Sequence, residues 1–551
     1  MKVLLVAVNA KYIHSNLAVY SLKKYADAFK QNRNVDIEIA EYTINNRIEE
    51  IVPDIFRRNA DVIAFSVYIW NVDYVTRIGE TLRKISSKYV IWAGGPEVSY
   101  RAESFLEEFP SFELIMQGEG EGIFSECVNA YYDGRKLPDV VAADSLLSMN
   151  EIPFVYDDLS NFDNKIIYYE SSRGCPFSCS YCLSSIDRRT RFRDFSIVKE
   201  ELKYFLDNKV KLVKFVDRTF NASHNHATSI WKYIAENDNG ITTFHCELSA
   251  DLIRDDEIEF LSGFRKGLLQ FEIGIQTFNP ETLKAINRNT DMTRLCQVIK
   301  KLHSAGNIHL HLDLIAGLPY EDIASFKNSF NRVYELCPDE FQLGFLKVLS
   351  GSEMSDKAEE YGIVRTGYAP YEVISTKWLS YEDLLKLKGV EEVLEIYYNS
   401  RQFDSSIKYI LESFDTPYDM YYALSEFYRE QFLVGASHSR IKRYELLLEF
   451  GKQYVDNVDF LTELLVHDMY LRENCKTRPW FAQAGHDNTS SVCRDKGISK
   501  KMYHVEYYEY DIKEYMKSGR IIVVGAQYIY DYAVRNPITN NIEYKKLELM
   551  S

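Results

Sequence analysis

The sequence predicts an α/β protein in three parts: an N-terminal doubly wound (Rossmann-like) domain, a central partial (β/α)6 barrel and a mostly helical C-terminal domain. Three observations predict this fold class. Short apolar runs alternate with helical patterns in residues 1–135, which is typical of βαβ units around a parallel sheet. A second series of apolar runs, again separated by helix-length segments, follows residue 164. From about residue 380 the apolar residues recur at helical spacing.

The N-terminal domain is predicted from five apolar runs. They read KVLLVAVN, VDIEIAEY, DVIAFSVYIW, YVIWAGG and FELIMQG. Several of them end in small or polar residues, as in Gly94-Gly95 and in the GEGEG stretch that starts at Gly118. Ligands of open α/β sheets bind at the carboxyl ends of the strands, so we expect a ligand crevice there.

The barrel is predicted from six strand candidates, IIYYES, VKLVKFVD, TFHCELS, LLQFEIGIQ, HLHLDLIAG and EFQLGFLKV. Six consecutive βα units indicate a barrel or partial barrel, whose chemistry lies at the carboxyl ends of the strands. We therefore predict an N-terminal domain at 1–135, a linker at 136–164, a barrel domain at 165–365 and a C-terminal domain at 366–551.

Composition narrows the function classes. Against 65 Lys and Arg the chain has 81 Asp and Glu, a formal charge of −16, which argues against a nucleic-acid partner. No apolar run approaches the roughly 20 residues of a membrane span, and the first residues lack a signal-peptide pattern. The nine cysteines fit a reducing compartment. We expect a cytoplasmic protein without a membrane partner.

The most specific motif is RGCPFSCSYC, directly after the first barrel strand, which spaces Cys175, Cys179 and Cys182 as C-x3-C-x2-C. Zinc and iron–sulfur sites usually take four protein ligands, and no fourth Cys or His is near. Three interpretations stay open: a zinc site with a distant fourth ligand, unrelated buried cysteines, or a [4Fe–4S] cluster with one open iron. An open position on a metal is where a substrate or cofactor binds.

A C-x3-C-x-aromatic-C motif after the first strand of a βα barrel resembles the radical S-adenosylmethionine (SAM) superfamily. The resemblance implies that SAM chelates the open iron and is cleaved to a 5′-deoxyadenosyl radical. Arg191 and Arg193 also resemble a family segment, or else form a solvated basic face. For residues that match the strand ends of the family, the resemblance implies SAM contacts, although each also has a structural interpretation. These residues are Tyr181, Asp217, Glu247, Ser249, Gln276 and Thr277.

A doubly wound domain before such a barrel resembles the cobalamin-binding domain of the B12-dependent branch. The matching segments are AVNAKYIHSNLAVYSL, FSVYIWN, WAGGPEVS and MQGEGEGIF. The alternative is a doubly wound domain that binds a nucleotide or no ligand. The resemblance implies cobalamin contacts for Tyr12, His14, Ser66, Gly94, Gly95, Gly118 and Glu119.

His14 is a candidate cobalt ligand within that set. Its loop, NAKYIHSN, departs from the D-x-H-x-x-G loop of other cobalamin proteins, because Lys11 stands at the His position and the Gly is missing. We therefore expect no protein nitrogen on the lower cobalt face, and we expect the segment from Tyr12 to Leu17 to pack beneath the corrin.

The whole arrangement resembles B12-binding radical SAM proteins with an uncharacterised C-terminal domain. It implies an enzyme, a radical SAM C-methyltransferase that methylates an unactivated carbon of a small-molecule or peptide substrate through a 5′-deoxyadenosyl radical and methylcobalamin. A reductant such as flavodoxin or ferredoxin would supply the electron. The alternatives are a B12-dependent rearrangement or cyclisation without methyl transfer, a methylthiotransferase, and a non-catalytic corrinoid-binding protein.

The C-terminal domain carries no metal or nucleophile constellation. His486 and Asp487 in QAGHDN are interpreted as polar loop residues rather than catalytic ones. We expect residues 370–551 to complete the substrate pocket without contributing a metal ligand, and we expect truncation near residue 365 to leave the cluster intact.

Overall fold

The computed structural model describes residues 1–30, 33–143, 145–436, 438–475, 478–482 and 501–547, with residues 491, 492, 494, 497 and 499. His486 and Asp487 lie outside the described residues. The chain forms two compact units. The first comprises Met1–Glu272, Glu281–Asp291 and Phe345–Lys377, and the second comprises Ile273–Pro280, Met292–Gly344 and Trp378–Ser551. The domain boundaries predicted from the sequence stay predictions.

The first unit begins with a parallel six-stranded sheet in the order β2-β1-β3-β4-β5-β6. Each strand corresponds to one of the predicted apolar runs, except the last short one. The strands are β1 (Lys2–Asn9), β2 (Asp36–Thr43), β3 (Val62–Ser66), β4 (Val90–Gly94), β5 (Leu114–Gln117) and β6 (Val140–Ala142).

Helices cover both faces of this sheet. In β1, Leu4, Val6 and Val8 belong to one buried apolar cluster, while the alternate residues of the strand belong to another. A strand that is buried on both faces reads as a continuous apolar run, and this explains the sequence KVLLVAVN. The helices are α1 (Leu17–Phe29), α2 (Ile48–Arg58), α3 (Val72–Ile85), α4 (Pro96–Ser99), α5 (Ala102–Glu108) and α6 (Gly120–Tyr132).

The second sheet also has six strands, and its first four pair in parallel within the first unit in the order β7, β10, β11 and the start of β12. Between β7 and β10 lies a short antiparallel pair, β8 with β9, which brackets the cysteine motif. The strands are β7 (Ile167–Tyr169), β8 (Ser172–Arg173), β9 (Arg191–Phe192), β10 (Leu212–Phe215), β11 (Thr243–Glu247), β12 (Leu269–Gln276), β13 (His309–Ala316) and β14 (Glu340–Phe345).

Helices alternate with these strands, as the predicted βα units require. They are α7 (Phe195–Asp207), α8 (His224–Glu236), α9 (Asp255–Ser262), α10 (Pro280–Ala285), α11 (Met292–Ala305), α12 (Ile323–Tyr334) and α13 (Glu353–Asp356). A small hairpin, β15 (Val364–Arg365) with β16 (Val373–Ser375), closes the first unit. The helix–strand alternation confirms the predicted α/β class.

The second unit joins α12 to the C-terminal helices through a common aromatic core. Phe330 of α12 is fully buried, and its ring centroid lies 5.6 Å from that of Tyr418. Lys327 binds Asp419 at 2.6 Å. The C-terminal helices are α14 (Tyr381–Leu394), α15 (Asp404–Leu411), α16 (Pro417–Glu430), α17 (Arg440–Gly451) and α18 (Val458–Arg472).

The tail forms an antiparallel sheet, in the order β17 (Tyr503–Tyr510), β18 (Val523–Arg535) and β19 (Ile542–Leu547), with α19 (Ile512–Ser518) between the first two strands. These strands correspond to the Tyr-rich runs of the sequence. Within the described parts of the chain, no helix combines the length and the apolar character needed to cross a membrane.

Candidate active site

A cavity of about 1400 Å³ opens in the first unit at the carboxyl ends of the strands of both sheets. This volume exceeds the roughly 300–1,000 Å³ of a usual small-molecule pocket, so the cavity has room for more than one ligand. Tyr12 does not line it, because its side chain is turned to solvent. The other predicted cobalamin-contact residues all line it: His14, Ser66, Gly94, Gly95, Gly118 and Glu119.

Two of these glycines have backbone conformations that other residues rarely adopt. Gly95 has φ +118°, and an added Cβ would lie 2.4 Å from the carbonyl oxygen of Val67, so no side chain fits. Gly118 has φ +98°, and an added Cβ would meet no atom within 4 Å. Gly95 therefore maintains a close backbone contact, whereas Gly118 leaves open space for a ligand.

The loop after β1 binds the first strand of the barrel region. His14 forms an isolated parallel bridge with Ile166, and the Ser15 hydroxyl donates to the Ile166 carbonyl at 3.0 Å. The Nδ1 atom of His14 lies 2.6 Å from the hydroxyl of Tyr168 in β7. Burial lowers the pKa of His14, and Lys11 and Lys214 lower it further, so its imidazole is neutral near pH 7.

Ser66 is held at the end of β3 by a buried amide network. Its hydroxyl accepts a hydrogen bond from Asn16 Nδ2 at 3.3 Å. Asn71 Nδ2 donates to the carbonyl oxygens of Ser66 and Val8, at 3.0 and 2.9 Å. These amides join the ends of β1 and β3, so the loops at this edge of the sheet are fixed by side chains that the sequence places just after each strand.

The three cysteines of the motif lie in one loop, with Cys175 and Cys179 buried and Cys182 partly buried. Burial raises the pKa of the Cys179 thiol, and the guanidinium of Arg288, 3.8 Å from its sulfur, acts in the opposite direction. The other two thiols also influence this pKa, so all three share one neighbourhood. Among the described residues, no group of three or more His, Cys, Asp or Glu side chains converges closely enough to hold a metal ion.

Asp217 organises the chain just before the cysteines. Its carboxylate is fully buried and accepts hydrogen bonds from the backbone N–H and hydroxyl of Ser171 and from the hydroxyl of Ser172, at 3.0, 2.7 and 2.6 Å. Burial raises the pKa of Asp217 to about 6. The next residue but one, Thr219, brings its hydroxyl within 3.4 Å of the Cys175 sulfur.

The other predicted SAM residues fall into two groups. Tyr181, Glu247 and Ser249 belong to the first unit with the cysteines. The hydroxyl of Tyr181 lies 3.5 Å from Arg288, and that of Ser249 donates to Asp251 at 2.6 Å. Burial raises the pKa of Glu247, and the nearby Glu272 carboxylate raises it further.

Gln276 and Thr277 belong to the second unit. Gln276 has φ +71°, and its Oε1 is buried without a hydrogen-bond partner among the described residues. Thr277 donates to Glu321 Oε1 at 2.5 Å. Burial raises the pKa of Glu321 to about 7. The roles of all these residues in SAM binding stay predictions.

An ion-pair network ties the N-terminal domain to the cysteine loop. Arg173, two residues before Cys175, donates to Glu121 Oε1 at 2.5 Å, to Glu119 Oε2 at 3.2 Å and to Glu170 Oε2 at 2.8 Å. Arg191 binds Glu119 as well. The two glutamates of the GEGEG stretch thus hold the base of the cysteine loop at the start of α6.

The interpretation of Arg191 and Arg193 as a solvated basic face is wrong. The side chain of Arg193 is 6% exposed, donates to Glu201 at 2.5 and 2.9 Å, and also donates to the carbonyl oxygens of Met149 and Ile152. Both arginines are instead held by buried or half-buried carboxylates, Arg191 by Glu119 and Arg193 by Glu201.

Three further residues, Tyr68, Trp70 and Arg218, line the cavity and were not predicted from the sequence. The rings of Tyr68 and Trp70 are stacked, with centroids 4.3 Å apart and planes within 8°. Arg218 directly follows Asp217 at the end of β10. A signal was present, because Tyr68 and Trp70 lie at the end of the predicted run DVIAFSVYIW and Arg218 directly follows VKLVKFVD, and ligands of parallel sheets bind at such strand ends.

Three stretches of the chain match described families. Residues 3–128 match the B12 binding domain and residues 169–333 match the radical SAM superfamily. Residues 359–530 match a protein family of unknown function, DUF4080. The chain thus carries a stretch that matches the B12 binding domain, followed by a stretch that matches the radical SAM superfamily. The predicted family and fold class are therefore confirmed.

Known relatives are distant. The cobalamin-dependent radical SAM methyltransferase TokK from Streptomyces tokunonensis is 23% identical over 345 residues, which is 55% of this chain and 49% of TokK. An anaerobic magnesium-protoporphyrin IX monomethyl ester cyclase from Rubrivivax gelatinosus is 22% identical over 330 residues, 55% of this chain and 58% of the cyclase. The chain spans about half the length of the curated relatives it matches.

Among solved structures, the cobalamin-dependent SAM radical enzyme OxsB with aqua-cobalamin and SAM bound is similar, with a TM-score of 0.57 at 15% identity. The similarity covers 85% of this chain and 78% of OxsB. At this identity the likeness shows a shared fold and nothing further.

The residues present fit the cofactors of this family. Three thiols in one loop suit an iron–sulfur cluster, because a cluster of four irons is wider than a single ion and its ligands need not converge on one point. The cavity is large, and the open space beside Gly118 lets a bulky ligand approach the backbone.

Proposed function

We propose that this protein is a cobalamin-dependent radical SAM enzyme that methylates an unactivated carbon of a small-molecule or peptide substrate. The observation that carries the proposal is the common cavity. Residues of the N-terminal crevice and residues around the cysteine loop line one space of about 1400 Å³. A substrate in that space would face both cofactors at once, as reaction of one carbon with each of them in turn requires.

The chain's own residues bind and position the reacting groups. Cys175, Cys179 and Cys182 are the ligands for a [4Fe–4S] cluster, and Tyr181 lies beside them to contact SAM. The crevice of Ser66, Gly94, Gly95, Gly118 and Glu119 takes cobalamin. When bound, these groups supply a carbon-centred radical and a methyl group.

The remaining task of the protein is to hold the loops still and to exclude water. Asp217 fixes Ser171 and Ser172 before the cysteines, and Arg173 fixes the loop to Glu119 and Glu121. All of these contacts are buried or half-buried, so the loop keeps its position relative to the crevice. A fixed geometry is what one substrate needs to react with two cofactors in turn, because misplacement favours side reactions.

Anaerobic reconstitution with iron, sulfide, cobalamin and SAM tests this proposal. After addition of titanium(III) citrate, we expect both 5′-deoxyadenosine and S-adenosylhomocysteine, since the first reports SAM cleavage and the second reports methyl transfer from SAM. Neither product requires a known substrate. Cobalamin binding without either product would support the non-catalytic alternative.

A second candidate is a cyclisation or rearrangement without methyl transfer. The observation that favours it is the similarity to the anaerobic magnesium-protoporphyrin IX monomethyl ester cyclase, whose coverage is as large as that of TokK. The same reconstitution separates the two, because this candidate predicts deoxyadenosine without S-adenosylhomocysteine.

A physiological reductant such as flavodoxin or ferredoxin completes the proposal, and a cytoplasmic location would provide it. Pull-down with the flavodoxin and ferredoxins of the host, followed by SAM-cleavage assays with each, would identify the electron donor.

A methylthiotransferase is not favoured, since the N-terminal domain has Cys127 as its one cysteine and cannot bind a second cluster alone.

A further inference from the structure

Arg218 lines the cavity at the place where the N-terminal domain and the barrel face each other. It is the first residue after the fully buried Asp217, and the Thr219 hydroxyl, which donates to the Arg218 carbonyl at 2.8 Å, also contacts Cys175. Hydrogen bonds on both sides therefore fix its backbone next to the cysteine loop. Its side chain is exposed to the cavity.

The electrostatic surroundings of Arg218 come from both sides of the cavity. Its positive charge acts on Tyr68, which follows β3 of the N-terminal domain, and on Glu247 at the end of β11. Arg218 thus lies between the stacked Tyr68–Trp70 pair and the barrel strands. This is the region in which a substrate must sit if it is to meet both cofactors.

No hydrogen bond or ion pair of the Arg218 guanidinium occurs within the described part of the chain. Several other charged residues of the cavity are already paired, and Arg188 has the Glu353 carboxylate near it, whose pKa its charge lowers. Arg173 binds three glutamates, and Arg189 binds Asp187 at 3.2 Å. Glu353 binds Lys357 at 2.7 Å.

A ligand that fills the cavity displaces water from the guanidinium of Arg218. Burial of a cation without a partner is strongly unfavourable, and guanidinium is never neutral in proteins, so the incoming ligand must supply the negative charge. A carboxylate matches the planar fork of arginine with two parallel hydrogen bonds.

We propose that Arg218 binds a carboxylate group of the substrate, so that the substrate is a small organic acid or a peptide with a carboxylate at the reacting end. This inference rests on the proposed function, because it takes the cavity as the substrate site. It assigns a specificity-determining residue, and the substrate class follows from its charge.

Binding measurements on the holoprotein test this without any turnover. The probes are phenylacetate, indole-3-acetate and propionate, each compared with its own primary amide by ligand-observed NMR titration. For the native chain we expect at least one acid to bind about tenfold or more tightly than its amide, because a lost charge pair in a desolvated site costs this much or more. In Arg218→Gln the ratio should fall to about one, and Arg218→Lys should retain part of it.

Arg188→Gln is the matched control, because Arg188 lines the same cavity, is also exposed and lies on the loop after the cysteines. Its acid-to-amide ratio should equal that of the native chain. Cobalamin content and the SAM dissociation constant, measured by equilibrium dialysis, should be unchanged in both variants.

Three results would overturn the inference. One is the absence of any acid preference in the native holoprotein, and another is a preference that survives in Arg218→Gln. The third is a tenfold rise in the SAM dissociation constant in Arg218→Gln, which would assign the guanidinium to the SAM carboxylate. None of these results depends on whether SAM is cleaved, so a failure here is distinct from a failure of the proposed function.

Discussion

At the residue scale, the cysteine loop allows the sharpest prediction. Replacing Cys175, Cys179 or Cys182 with Ala should reduce 5′-deoxyadenosine formation to background and leave cobalamin bound, because the crevice residues are contributed by a different sheet. The measurements are deoxyadenosine by chromatography and cobalamin by its visible absorbance. Cys337→Ser is the control, since this thiol is exposed and lies outside the loop. Loss of cobalamin in all three variants with the fold intact would contradict the prediction.

His14 supports a second residue-scale prediction. Its Nδ1 atom already contacts Tyr168, so we expect His14→Ala to keep bound cobalamin and most of the activity. The EPR spectrum of the cob(II)alamin form should show no nitrogen ligand from the protein. Tyr168→Phe serves as the control, because it removes only the hydroxyl that His14 contacts. A nitrogen-ligated signal that disappears in His14→Ala would make His14 a cobalt ligand.

The buried Asp468 in the second unit should make the stability of the protein depend on pH. It is almost fully buried, accepts hydrogen bonds from Ser405 and Ser406, and burial raises its pKa to about 7 from an ordinary value of 3.8. The folded state therefore binds more protons than the unfolded state between these values. The free energy of unfolding should decrease as pH rises through this window, by up to about 1.4 kcal/mol per pH unit.

The variant Asp468→Asn tests this effect, since an amide does not titrate. Urea denaturation at pH 5, 6 and 7, followed by circular dichroism, should show a smaller decrease with pH for the variant than for the native chain. Equal pH slopes in the two proteins would show that Asp468 titrates at its ordinary pKa.

At the element scale, ion pairs hold the start of α6 to the base of the cysteine loop. Arg173→Gln leaves the buried Glu121 without its cation, which costs about 3–5 kcal/mol in typical buried pairs. We expect the midpoint of thermal unfolding of the cofactor-free protein to fall by roughly 5–10 °C. The double variant Arg173→Gln with Glu121→Gln should recover part of this loss, because the buried Glu121 charge is then removed together with its partner, while Glu170 still lacks its cation. Additive losses in the double variant would contradict the coupling.

The elements of the fold were largely predictable, whereas the contacts between them were not. Continuous apolar runs such as KVLLVAVN predicted the strands because both faces of these sheets are covered, and strand ends predicted Ser66, Gly94 and Gly118 as cavity residues. Arg173 and Glu121 are 52 positions apart and meet only because the sequence folds two sheets together. Periodicity carries no information on such pairs, and for the same reason the inward turn of Arg193 was missed.

At the scale of the whole molecule, the C-terminal helices form part of the buried core of the second unit. The rings of Phe330 and Phe341 are fully buried, and they pack against Tyr418, Tyr421 and Tyr398 within the second unit. Cutting the chain near residue 365 would expose this apolar surface, in contrast to the expectation from sequence that the cluster domain survives truncation. We expect a truncated chain to aggregate. Size-exclusion chromatography of residues 1–365 would test this, and a monomeric truncation with a full iron content would contradict it.

The bridge between the first loop and β7 has a consequence for the way the chain is made. β7 is the edge of its sheet, and unpaired edge strands recruit other chains. The backbone N–H of Ile166 donates to Ile13, and its carbonyl accepts from Ser15, so the start of this edge is already occupied. Residues 13–15 leave the ribosome some 150 residues before β7 does, and N-terminal domains generally fold first during synthesis. We therefore expect residues 13–15 to cover the start of β7 as soon as that strand is made, so that this part of the edge is not exposed to other nascent chains on the same mRNA.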